Sequence, residues 1–230
     1  MSIKSALIAT TLSLASLAAQ AAPVQLVTNG GFETGNFTGW TAVNNGGPSG
    51  CGSNVWEVNS TGHEGCGTMA KPTSGTYAAY NTFDGIAAPY TLTQQIVVPG
   101  SITAATLSFM DEFSMSYSGT LRTFKVDFYN QAGTTLLGNV FTQTVGTSQS
   151  QAWTNNSFDV TALLASQAGQ TISLRFTEIV PTAYTGPGNF GLDNISLQAT
   201  VPEPGSLALL GLGLLGFAAS RRKSAKKDQA

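Results

Sequence analysis

Positive charge is scarce in the part of this chain that has to fold. Residues 22–200 hold four basic side chains against ten acidic ones, a net charge near −6, although the whole 230-residue sequence carries only −2. With no basic stripe to neutralise phosphates, nucleic-acid binding is excluded. An acidic surface is soluble and suits divalent cations better than anions. Histidine is almost missing: His63 is the only one. A Ser-His-Asp relay would have to use it, and no Gly-x-Ser-x-Gly segment or His-rich metal motif is present. Cysteine is limited to Cys51 and Cys66. Long helix-forming stretches are absent from the middle of the chain, so no helix could cover a parallel sheet.

The apolar runs that do occur lie at the two ends. Lys4 is the only charge before a run of apolar or small residues at 6–19, and Ala19-Gln20-Ala21 closes it with a small-x-small site. This is a secretory signal peptide over residues 1–21, with cleavage expected after Ala21. At the other end stands Val201-Pro202-Glu203-Pro204-Gly205, then an uncharged stretch at 206–220, then a basic tail at 221–227. The two prolines keep the short motif extended and out of any helix. The stretch at 206–220 is apolar enough to enter a bilayer. As a helix it would span roughly 22 Å at 1.5 Å per residue, short of the roughly 20 residues a full crossing takes. The five basic residues behind it resist translocation and stay cytoplasmic.

This tripartite end resembles the PEP-CTERM sorting signal, with Pro202, Glu203 and Pro204 as its core. The resemblance implies recognition by an exosortase, a membrane-embedded protease of Gram-negative bacteria. It implies transient anchoring in the inner membrane through 206–220, then release or attachment at the cell surface. Such proteins usually accompany exopolysaccharide and biofilm functions. The same signal is sometimes filed with ice-binding proteins. No regular Thr-x-Thr array is present here, so that reading finds no support in the residues.

Between the two addresses lies one domain, residues 22–200, large enough for a sizeable core. In an exported chain Cys51 and Cys66 are expected to pair. They would close a loop of 16 residues, worth about 3 kcal/mol in the chain-entropy view. The alternative is half of a zinc site with His63 and Glu64. Strand patterns recur at 24–27, 54–58, 77–83, 90–98, 104–117, 121–129, 134–145, 152–160, 171–180 and 190–199. The clearest puts Arg122, Phe124, Val126 and Phe128 on one face and Leu121, Thr123, Lys125, Asp127 and Tyr129 on the other. Gly, Pro and Asn clusters separate the strands, and only 161–168 reads helical. The expected fold is all-β, an antiparallel jelly-roll β-sandwich.

The segments 29–40 and 190–197, at opposite ends of this domain, together resemble galactose-binding-like jelly rolls, the fold of many carbohydrate-binding modules. The resemblance implies a structural Ca²⁺ on the rim where the first and last strands meet. Glu33 and Asp193 would supply side-chain oxygens. Backbone carbonyls near Asn29, Gly31 and the turn at 72–76 would complete the shell, since Ca²⁺ takes six to eight oxygens. The alternative makes Glu33 and Asp193 ordinary turn residues.

No catalytic constellation emerges. Asp111 and Glu112 are adjacent, so on a strand they point to opposite faces and do not flank a glycosidic bond. Sugar binding would need exposed aromatic rings; Trp56 and Tyr184 are the candidates, beside Tyr90, Phe113, Tyr117 and Tyr129. The sequence reads as an exported, exosortase-processed, non-catalytic surface or matrix protein. A lectin-like module is the alternative, and a secreted hydrolase or ice-binding protein stands further off.

Overall fold

A computed structural model describes residues 23–44, 56–62, 64–65, 67–83, 87–115, 121–146, 148–182, 188–202 and 213. The signal peptide, Cys51, His63, Cys66, Tyr117, Tyr184, Glu203, Pro204, the basic tail and all of the 206–220 run except Gly213 lie outside these. Among the described residues no helix is long and apolar enough to cross a membrane.

The elements in chain order are β1 Pro23–Gln25, β2 Thr41–Val43, β3 Trp56–Asn59, β4 Glu64–Gly65, β5 Gly67–Thr68, β6 Ala78–Phe83, β7 Pro89–Val97 and β8 Ala104–Met115. Next come β9 Arg122–Asn130, β10 Leu136–Val145, β11 Ser150–Asp159, α1 Thr161–Ser166, β12 Thr171–Ile179 and β13 Gly188–Thr200. They build the expected antiparallel β-sandwich. One sheet runs β11-β8-β13-β6-β3, with β1 added on β13; the other runs β10-β9-β12-β7-β2.

Strand alternation generates the core. Phe124, Val126 and Phe128 of β9 are fully buried, as are Leu174 and Phe176 of β12 and Leu107 and Phe109 of β8. Rings from the two sheets meet in the middle: Phe109 and Phe176 lie 5.4 Å apart edge to face, and Phe124 stacks on Phe190 at 5.4 Å. Each such pair adds about 0.5–1.5 kcal/mol beyond its buried area.

Boundaries moved where turn chemistry competes. The strand expected from 134 begins at Leu136, because the Asn130 side chain accepts N–H bonds from Thr134 and Thr135 and holds them in a turn. The strand β2 and the β4–β5 hairpin were not foreseen; both are too short to show a period. Leu121 lies outside β9 and is 58% exposed.

Candidate functional site

The chain after β1 is pinned before it reaches Glu33. The Gln94 amide clamps Thr28, donating to its carbonyl at 2.8 Å and accepting its N–H at 2.7 Å. Asn29 and Phe32 sit in the left-handed region, at φ 51° and 56°. Asn29 tolerates this because its short amide bonds locally, donating to the Asn36 and Thr38 carbonyls. Phe32 is compensated by full burial, with its ring 5.9 Å from Trp40. The turn so formed aims Glu33 at residues 76–77. Its carboxylate accepts the Thr76 N–H at 2.9 and 3.0 Å and the Tyr77 N–H at 3.1 Å.

Asp193 arrives from the far end of the sequence. It stands at a register shift in β13, followed by Asn194 at φ 52°. Its Oδ1 accepts the Asn194 N–H at 2.7 Å, and the Thr73 and Ser74 N–H groups also face the carboxyl. Its Oδ2 is buried without a partner. Burial pushes the Asp193 pKa up to about 6; the neighbouring Glu33 charge adds to the rise while the N–H groups oppose it. Gly31 lies between the two carboxyls: a Cβ there would be 3.7 Å from Asp193 Oδ1 and 3.7 Å from Glu33 Cγ. Three segments remote in sequence, around 33, 73–77 and 193, thus meet at one place.

The donor set fits a hard, oxygen-seeking cation at Asp193 and Glu33. An orphaned buried carboxylate oxygen beside a second carboxylate is what such an ion would satisfy. It does not fit at Asn29. That carbonyl already accepts the Phe32 N–H and the Trp40 indole N–H, both at 3.2 Å, which uses both lone pairs. Among the described residues no group of three or more His, Cys, Asp or Glu side chains gathers.

Trp56 is not a surface platform. It is 3% exposed and packs in the core, because its register partner Asn81 faces inward on β6. Tyr90 and Phe113 are buried too. Tyr129 lies on the outer face of β9, under the Arg175 guanidinium at 4.2 Å.

The adjacent carboxyls Asp111 and Glu112 do point to opposite faces. Asp111 turns inward, where its Oδ1 accepts from Gln151 at 3.2 Å and Asn156 at 2.6 Å, and burial lifts its pKa to about 6. Glu112 turns outward into a cleft of about 320 Å³ shared with Met69, Ser114, Ser150 and Gln151. It accepts the Ala70 N–H at 2.7 Å, and burial raises its pKa to about 7. Beside Glu112 stands Gly191, its register partner. A Cβ at 191 would come within 2.8 Å of the Trp153 ring and 3.0 Å of Glu112 Cγ. Trp153 itself donates to the Lys71 carbonyl at 2.9 Å and meets Tyr80 edge-on at 6.2 Å. Neither Trp153 nor this cleft figured among the sequence candidates; a glycine inside a strand pattern was the available signal.

The last strand leads straight into the sorting segment. Thr200 is the Cα partner of both Pro23 and Ala104, and its carbonyl accepts the Thr103 N–H at 2.9 Å. Val201 is half-buried and Pro202 is exposed. No linker separates the sandwich from the motif.

No curated protein sequence matches this chain. Among solved structures, it is similar to the enzymatically active domain of bacteriophage CBA120 tailspike protein 4, with TM-score 0.50 and 11% identity over 76% of this chain. It spans only 21% of that tailspike chain, and the likeness concerns the fold alone. It is also similar to TmCBM61, solved with beta-1,4-galactotriose, at TM-score 0.46 and 18% identity over 76% of this chain and 97% of that one. The K3 adhesin domain of Lys-gingipain from Porphyromonas gingivalis W83 gives TM-score 0.49 and 14% identity over 77% of this chain and all of that one. Residues 200–223 match the family model of the PEP-CTERM protein-sorting motif. The chain therefore carries a PEP-CTERM protein-sorting motif, placed directly behind the closing strand of an antiparallel β-sandwich.

Proposed function

We propose that this is a non-catalytic surface or matrix protein of a Gram-negative bacterium, cut by an exosortase and retained in or near an exopolysaccharide layer. The sorting motif marks an exported chain targeted to exosortase. The observation that carries the finer reading is the continuity of β13 with the motif: the whole folded domain lies on one side of the cut. A bound Ca²⁺ at Glu33 and Asp193 would tie the first and last strands of the mature domain, a fitting device for a protein without a cell around it.

A lectin-like role is the second reading, and the outer cleft with Glu112, Ser114 and Ser150 favours it. Hydroxyls and a carboxyl in a shallow recess match the hydroxyls of a sugar. Mass spectrometry of the mature protein tests the first reading. Strains with the exosortase should yield a protein that begins near Ala22 and ends close to Pro202–Pro204. An exosortase deletion should leave the 206–220 segment attached. Identical C-termini in both strains would overturn it.

A further inference from the structure

The end of the sandwich from which the sorting segment leaves carries no charge. Four pieces form this rim: residues 97–103 between β7 and β8, 130–136 between β9 and β10, 160–171 including α1, and the paired chain ends Pro23 and Thr200. None contains Asp, Glu, Lys or Arg. The nearest charges border it directly, and Asp159 is exposed. Asp159 accepts the Thr161 N–H at 2.8 Å, and Arg175 lies over the Tyr129 ring with Nη2 donating to the Gly133 carbonyl at 3.2 Å. Val24, Val97 and Leu136 stand exposed here, Val97 at 71%. A recess of about 510 Å³ on the same rim is lined by the amides of Asn130, Gln131, Gln167 and Gln170.

Both membrane addresses attach to this rim. Pro23, two residues past the expected signal-peptide cut, is the register partner of Thr200. Six Cα–Cα steps then lead from Thr200 to Ser206, where the apolar run begins. Fully extended they reach about 20 Å, at roughly 3.3 Å per residue. Whenever the run is inserted, the rim is held within that distance of the headgroups.

We propose that this rim is a lipid-facing surface, on which the anchored precursor stands against the membrane by its uncharged end. The inference rests on the reading of the tail as a transient anchor. A domain with ten acidic and four basic groups is repelled by anionic headgroups. That repulsion fades over about 8 Å at physiological salt. Keeping the acidic groups out of the rim lets the domain sit close. The rim amides are donors for phosphate and glycerol oxygens, and the three apolar side chains suit the interfacial layer.

The test uses the full-length precursor in vesicles of phosphatidylethanolamine and phosphatidylglycerol. A fluorophore is installed by amber suppression either at Gln170, on the rim, or at Leu121, at the opposite end. Lipids spin-labelled at the headgroup should quench the Gln170 probe several-fold more than the Leu121 probe. Adding Q131E, T134E and Q167E should abolish the difference at low salt, and high salt should restore it. Equal quenching of the two probes overturns the proposal. So does rim quenching that appears only when exosortase is co-reconstituted, because the rim would then dock on the protease. A tail that stays uncut in cells while the rim is quenched would sink the exosortase reading and leave this one standing.

Discussion

The partnerless oxygen of Asp193 makes the sharpest prediction. The folded carboxyl has a pKa of about 6 against an ordinary 3.8. A group that holds its proton more tightly when folded contributes stability at low pH and loses it as pH rises through the folded value. Full ionisation at pH 7.5 then costs at most about 3 kcal/mol, at 1.36 kcal/mol for each tenfold and less to the extent that solvent screens the charge. For a domain of this size that is about 6–12 °C in melting temperature. Asp193→Asn removes the ionisation and keeps an acceptor for the Asn194 N–H. In chelator at pH 7.5 the variant should melt several degrees above the wild type, with about 10 °C as the ceiling. At about pH 3, below the ordinary value of 3.8, the two should nearly coincide. Asp111 and Glu112 push the pH trend the same way, with values of about 6 and about 7, so the wild-type minus variant difference isolates Asp193. Calcium should reverse the order: an ion at a hundred times its Kd adds about 2.7 kcal/mol to the wild type and little to the variant. Thermal unfolding with chelator or calcium at both pH values reads all of this. A variant less stable by the same amount at both pH values, with calcium inert toward both proteins, would refute the reasoning.

Two glycines give geometric tests. A Cβ on Gly30 would lie 1.8 Å from the Ile195 carbonyl oxygen, backbone against backbone. Gly30→Ala should therefore cost about 3 kcal/mol in urea unfolding, the upper range for overpacking, by parting the N-terminal loop from β13. Gly75 has φ +65°, and a Cβ there would sit 2.3 Å from Glu33 Oε1. Gly75→Ala should cost about 1–2 kcal/mol and also blunt the calcium response, since Glu33 must leave its Thr76 and Tyr77 donors. Reducing the pairing expected between Cys51 and Cys66 should lower stability by about 3 kcal/mol. Equal melting curves with and without reductant would count against the disulfide.

Period-two alternation was the part of the fold legible in the residues. In β9 the face of Arg122, Phe124, Val126 and Phe128 is buried as expected, although Asp127 on the other face is buried too, at 5% exposure. The opposite orientation of Asp111 and Glu112 obeys the same rule. Features that escaped depend on partners far away in the chain. Trp56 is core because it lies across from Asn81, and nothing near residue 56 announces which face β6 will offer. The Asn29 carbonyl is spent on the indole of Trp40, a bond that exists only once Phe32 has been driven inward. The Trp153 ring lies where it does because Gly191, beside Glu112, has no side chain; three strands must assemble before that arrangement exists.

The carboxylate pair belongs to neither group, and the reason is physical. Glu33 and Asp193 are 160 positions apart, yet each sits beside a left-handed residue: Glu33 after Phe32 in the loop between β1 and β2, Asp193 before Asn194 where β13 shifts register. Such positions are encoded locally by Gly and Asn, so the turns are visible one at a time. Their meeting is not local. It is imposed by β1 adding to β13 at Pro23–Thr200, Val24–Ala199 and Gln25–Gln198, which brings the first carboxylate alongside the last strand. The same three pairs bring Pro23 and Thr200, the residues next to the two export addresses in sequence, to one rim. One short strand, three residues long and exposed throughout, therefore positions the candidate ion site and the processing end together. Replacing Val24 with proline, which deletes an N–H and fixes φ, should accordingly weaken the calcium response and alter the rate of tail processing in the same molecule. A change in one without the other would show that the two sites are independent of this strand.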